Sequence, residues 1–238
     1  FVDTSSMEFS RDSEMMRGGY FDNYYMQLIY NVQRAKGTAP VIVQDSRKPI
    51  NVTGGFDQWA DVTVTYTDAK GDVADRDAIG FGRTPYKNTS GRNDIVSAKV
   101  TSDTKNLYFY VKCESDIVTA EDGNWMNLFI GLGSAPTVKG WESYEFAINR
   151  TRNGSAAAIE KLNPDYTGDA LEATATYSVQ GNVMQISIPR AALGLDEGGD
   201  FYFKVADGVA DPAEIMDYYA TGRSLPMGRL SYLYQMDK

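Results

Sequence analysis

The sequence predicts a mostly β protein: an antiparallel β-sandwich, jelly-roll-like, with an N-terminal helical segment. Three observations carry this. From Val41 onward, apolar and polar residues alternate with a period of two, the pattern of half-buried strands. Turn residues punctuate those stretches at short intervals, as antiparallel connections require. Only one stretch, residues 22–36, has convincing helical spacing.

That helix comes first in the chain. Asp22 is placed to cap it, and Tyr25, Leu28, Ile29 and Val32 fall at i, i+3, i+4 and i+7 on one apolar face. Gly37 and then Pro40 end it. The chain therefore divides into a helical segment, 1–40, and a sandwich, 41–238.

The strands follow in order. Val62, Val64 and Tyr66 alternate with Thr63 and Thr65. Leu107, Phe109, Val111 and Cys113 alternate with Tyr108, Tyr110 and Lys112. Residues 126–132, 144–148, 173–179, 183–188 and 201–205 read as further strands. Ser102-Asp103-Thr104-Lys105, residues 131–136, Asn153-Gly154 and Gly181-Asn182 read as the turns between them. Residues 189–195 predict a single helical turn, because Pro189 suits a first helical position. Two long stretches, 67–93 and 206–230, are rich in Asp and Gly and lack periodicity. Long loops on a sandwich are where function usually sits.

Composition narrows the chemistry. With 32 acidic and 23 basic side chains the formal charge is -9, which excludes an ordinary nucleic-acid binder. There is no His, so Ser-His-Asp and Cys-His catalysis and His-ligated metals are excluded. Cys113 is the single cysteine, so no intrachain disulfide forms. Its phase with Leu107, Phe109 and Val111 predicts a small buried hydrophobe. No run of about 18 apolar residues provides a membrane-spanning segment. The chain starts at Phe1 and not at Met, as a mature or truncated piece of a longer precursor would.

Four segments in order resemble family 9 carbohydrate-binding modules and their DOMON-like relatives. The first runs Pro49-Ile50-Asn51-Val52-Thr53-Gly54-Gly55-Phe56-Asp57-Gln58-Trp59, with Thr53 where the family usually has Asp. The second is Ala98-Lys99-Val100-Thr101-Ser102-Asp103-Thr104-Lys105-Asn106-Leu107-Tyr108-Phe109-Tyr110-Val111. The third is Asn124-Trp125-Met126-Asn127-Leu128-Phe129-Ile130, and the fourth Ile188-Pro189-Arg190-Ala191-Ala192-Leu193-Gly194-Leu195. The segment from Gly140 to Arg150 and the tail Ile215-Met216-Asp217-Tyr218-Tyr219 are similar to a subgroup at the C-terminus of larger exported bacterial proteins. The resemblance implies a β-sandwich accessory module in an extracytoplasmic location: periplasm, cell surface or secreted. It implies a polysaccharide or oligosaccharide ligand and an upstream catalytic domain acting on glycans. Residues 1–40 would then be the tail of that domain or a linker from it.

Sugar binding needs flat aromatic faces against the pyranose ring and polar groups at its edge. Trp141, which follows a loop, is the best platform, with Tyr144 or Trp125 beside it. Glu142, Asn149 and Arg150 are the candidate hydroxyl partners. Trp59, in the opening segment, reads as core. Calcium takes several oxygen ligands including carboxylates. Asp72, Asp75 and Asp77 form one acidic cluster and Asp116, Glu121 and Asp122 another, the second taken as the candidate set. Neither has the spacing of a known loop motif, and a solvated acidic loop is the alternative. The resemblance to family 9 modules implies structural calcium. Two alternatives stand beside the binding module. One is a structural bracing module with no ligand. The other is part of a glycoside hydrolase site using paired carboxylates, for which no sequence feature marks an acid and a base.

Overall fold

The computed structural model of the chain describes residues 28–29, 32–33, 35–38, 47–68, 70–71, 75–79, 85–119, 125–133, 144–153, 156–164, 167–211, 213, 217–226 and 231–236. The strands are β1 (Tyr66–Thr67), β2 (Arg76–Ile79), β3 (Pro85–Asn88), β4 (Ile95–Ser102), β5 (Asn106–Cys113), β6 (Asn127–Leu132), β7 (Phe146–Asn153), β8 (Ala156–Leu162), β9 (Gly168–Gln180), β10 (Val183–Pro189), β11 (Phe201–Asp207), β12 (Arg223–Leu225) and β13 (Tyr232–Tyr234). Eleven of them form one antiparallel sheet in the order β1-β4-β5-β10-β9-β8-β7-β6-β11-β12, with β13 also paired to β11. β2 and β3 form a separate hairpin. The sheet bends over on itself into a nearly closed, barrel-like sandwich. Register shifts within the β4-β5, β7-β8 and β8-β9 pairs supply local kinks that favour such bending.

Alternation builds the interior. On β5, Leu107, Phe109, Val111 and Cys113 are all fully buried and face the same core as Phe201, Phe203 and Val205 of β11. The Phe109 and Phe203 rings meet at 5.4 Å, which joins the two halves of the bent sheet. Two smaller clusters cover the outside. Phe129, Tyr144, Ala147, Tyr202 and Tyr218 pack together on the outer face of β6, β7 and β11. Ile50, Val52, Trp59, Val62 and Tyr108 do so elsewhere. Trp59 donates its indole N–H to Gln185 Oε1 at 2.7 Å, so a buried polar group finds its partner inside the cluster.

Local signals hold where predicted. Gly181-Asn182 connects β9 to β10 in a two-residue turn, with Gly181 at φ 58°. The expected helical turn is a short 3-10 turn, Arg190–Leu193, with Pro189 one place earlier than expected, as its N-cap, and with Gly194 in the left-handed region at its end. Cys113 is buried, and burial pushes its thiol pKa up to about 12.

Two expectations need correction. Most of the N-terminal helical segment lies outside the described residues. Leu28, Ile29, Val32, Gln33 and Ala35 have helical backbone there, yet among the described residues no helix is established before Phe56. Leu28 and Val32 are 42% and 43% exposed, while Ile29 is partly buried. The strand expected from Val62 shrinks to Tyr66–Thr67. Lys99 Nζ donates to the carbonyls of Trp59 and Val62 at 3.1 and 2.8 Å, so side-chain bonds replace a ladder at that corner.

Candidate functional site

Asp207, the last residue of β11, anchors a buried polar node at one end of the sandwich. It is fully buried. Its Oδ2 accepts from Arg92 Nε at 3.0 Å and from Asn93 Nδ2 at 3.1 Å, and its Oδ1 accepts from the Met126 backbone N–H at 3.0 Å. Burial pushes the carboxyl pKa above its ordinary value, against the opposing pull of those donors. Asn93 is bonded to Val118 through both ends of its amide, at 2.8 and 2.9 Å. Asn149 Nδ2 donates to the carbonyls of Trp125 and Met126 at 2.9 and 3.3 Å.

Backbone strain gathers here. Among the described residues the non-glycine positions with positive φ are Asn93 (53°), Met126 (46°) and Asn149 (69°), and all three belong to this node. Asn tolerates that region, whereas Met does so only when its surroundings hold it. The Met126 N–H on Asp207 is one such hold.

Beside the node lies an open pocket of about 360 Å³. One wall is the end of β3 and the loop leaving it, with Lys87, Asn88, Thr89, Ser90 and Arg92. Gly208 and Ala210, just past β11, face it together with Thr221. Asn88 ties the walls together. Its Nδ2 donates to the Thr221 carbonyl, and its Oδ1 accepts from Ser90 Oγ at 2.8 Å and Arg223 Nη2 at 3.0 Å. Thr221 Oγ1 accepts from the Ala210 N–H at 2.9 Å and donates to Asp217 Oδ2 at 2.7 Å. Gly208 has φ 70°, and a Cβ there would stand 3.1 Å from Asn88 Nδ2, so only glycine keeps this close approach without strain. The lining thus combines hydroxyls, an amide and two cations on a cross-linked frame.

The residues expected to bind sugar are placed differently. Trp125 is fully buried, 5.7 Å from the Tyr177 ring. Tyr144 is 3% exposed, between Phe129 at 5.4 Å and Tyr202 at 5.6 Å. Rings packed this way present no open face to a sugar, so the platform expected of these two is not exposed. Asn149 is fully buried in the node. Arg150 makes two bonds to Glu160, at 3.0 and 3.1 Å, the geometry of a structural ion pair. Trp125 and Asn149 are brought together, but as mutual supports of the backbone. Trp141 and Glu142 lie outside the described residues, as do Glu121 and Asp122 of the candidate calcium set. Asp116 is exposed. Among the described residues no three of His, Cys, Asp or Glu are grouped to hold a metal.

Comparison with protein-family models, with curated proteins and with solved structures gives no match. The likeness to family 9 modules rests on the four segments quoted above. The pocket itself was not anticipated residue by residue. Its two walls fall inside the two aperiodic stretches, 67–93 and 206–230, which was the only signal available before folding joined them.

Proposed function

We propose that this chain is a non-catalytic carbohydrate-binding accessory module that takes a saccharide in the Asn88-framed pocket. The observation that carries the reading is the composition of the lining. Exposed Thr89 and Ser90 hydroxyls, Lys87 and Arg92 supply directional partners of the kind sugar hydroxyls need. Its volume, about 360 Å³, falls in the range of about 300–1,000 Å³ usual for small-ligand sites. The described lining has no carboxylate to serve as acid or base, which favours binding over hydrolysis. The resemblance adds the setting: an exported polypeptide in which the module holds an upstream glycan-active domain near its polysaccharide. Tethering raises the effective substrate concentration without altering the chemistry.

Affinity electrophoresis through gels containing plant, host and microbial polysaccharides tests this. At least one glycan is expected to retard the chain, and Ala210→Trp, which fills the pocket from an exposed position, is expected to abolish the retardation. Retardation that survives Ala210→Trp moves the site elsewhere. No retardation by any glycan sinks the reading and leaves the bracing role.

A further inference from the structure

Building on that reading, we infer that the pocket selects acidic saccharides: sugar units carrying a carboxylate or sulfate oxyanion. The chain as a whole is acidic, with a formal charge of -9. The described lining nevertheless holds two cations, Lys87 and Arg92, and no Asp or Glu.

The two cations are held in different ways. Arg92 is anchored through its Nε to Asp207, which is fully buried and not part of the lining. That anchor holds the guanidinium at the wall with its side chain 20% exposed, and a planar guanidinium is well matched to oxyanions. Lys87 lies across the β2-β3 hairpin from Asp77, with Nζ 3.3 Å from Oδ2. Both partners are more than half exposed, at 62% and 66%. An exposed pair of this kind binds its members weakly, so a ligand oxyanion displaces Asp77 at little cost. Thr89, also exposed on this wall, is placed to contact the ring hydroxyls beside the oxyanion, and Ser90 Oγ, whose proton goes to Asn88 Oδ1, is placed to accept from one of them. Electrostatic contact in a polar, open pocket discriminates charge more than it adds affinity. The prediction is therefore a ratio between acidic and neutral forms of one sugar.

Titration calorimetry on the whole chain reads that ratio. The probes are tetragalacturonate and its fully methyl-esterified form, and a sulfated galactan tetrasaccharide and its unsulfated form. At least one acidic probe is expected to bind about tenfold tighter than its own neutral form. Lys87→Gln, at an exposed position, is expected to remove most of that ratio while circular dichroism stays unchanged. Raising salt from about 50 to about 500 mM is expected to weaken the acidic probe and spare its neutral form. The pattern between the uronate and the sulfate identifies which oxyanion is preferred. Equal binding of the acidic and neutral forms in both pairs, retention of the ratio in Lys87→Gln, or binding of neutral glycans alone overturns the inference and leaves the saccharide reading standing. Absence of binding to every saccharide overturns both.

Discussion

Tyr66 and Tyr232 latch the two ends of the sheet to each other in reciprocal fashion. Tyr66, on β1, donates its hydroxyl to the Leu233 carbonyl of β13 at 3.0 Å. Tyr232, on β13, donates its hydroxyl to the Thr67 carbonyl of β1. Their rings lie 5.0 Å apart. Among the described residues no backbone pairing joins β1 to β13, and side chains bridge this seam of the sandwich. Each hydroxyl also satisfies a carbonyl at the edge of a strand, a group otherwise left to water.

Tyr66→Phe and Tyr232→Phe are each expected to cost about 1 kcal/mol, the net value of one hydrogen bond. Urea unfolding of the single and double variants checks this, and a double-mutant cycle measures the coupling. Burial pushes the Tyr232 pKa far above 10.0, assisted by the negative charge of Asp68. A raised folded pKa means that this contribution is complete below the unfolded value and is lost as pH rises through the folded one. Tyr218, also buried, is shifted the same way. Spectroscopic titration of the phenols is expected to show a fraction that ionises only on alkaline unfolding.

Asp207→Ala removes the acceptor from three donors at once, the Asn93 amide and the Met126 N–H buried and the Arg92 guanidinium partly so. A loss of about 3 kcal/mol is expected, the scale of breaking a buried ion pair. The pH dependence has a definite sign. The folded pKa lies above the ordinary 3.8, so the native state holds the proton more tightly than the unfolded one. The pH-linked part of this residue's contribution is therefore complete below 3.8 and falls as pH rises through the folded value. Urea midpoints across acidic pH are expected to show that component in the wild type and not in Asp207→Ala.

Asn149 combines a left-handed backbone with two side-chain bonds, and two variants separate these. Asn149→Ala loses the bonds to the Trp125 and Met126 carbonyls and also strains the backbone at φ 69°. Asn149→Gly loses the bonds but relieves the strain. Thermal unfolding is expected to show Asn149→Gly more stable than Asn149→Ala by about 1 kcal/mol. Equal losses would assign the whole effect to the side chain.

Gly131 sits directly across from Tyr202 in the β6-β11 pair. A Cβ at 131 would fall 2.1 Å from Tyr202 Cζ, and the ring is enclosed at 1% exposure. Gly131→Ala is expected to cost about 3 kcal/mol through overpacking. Tyr202→Leu in the same chain is expected to recover part of that loss, so the two changes are non-additive by chemical denaturation.

Local pattern carried much of this fold. The alternation of β5 and β10, the Gly181-Asn182 turn and the Pro189 cap depend on neighbours within a few residues, so the linear sequence contains them. β8 was not anticipated, because Ala156-Ala157-Ala158 has little strand signature and is held by its partners on both sides. The outer-face clusters were also illegible. Phe129, Ala147 and Tyr202 break strict alternation because other parts of the chain cover both faces of the sheet there.

The sequence alone determined the mostly β, antiparallel character of the fold, the exclusion of His chemistry and the burial of Cys113 and Trp59. These follow from residue types and short-range periodicity. Tertiary structure decided that Trp125 and Tyr144 are core rings and that Arg150 belongs to Glu160, since burial depends on what other segments supply. It alone created the pocket, whose walls meet through Asn88 and Thr221, 133 positions apart in the chain. Contacts over that separation arise from the path of the whole sheet, which no local window of residues encodes.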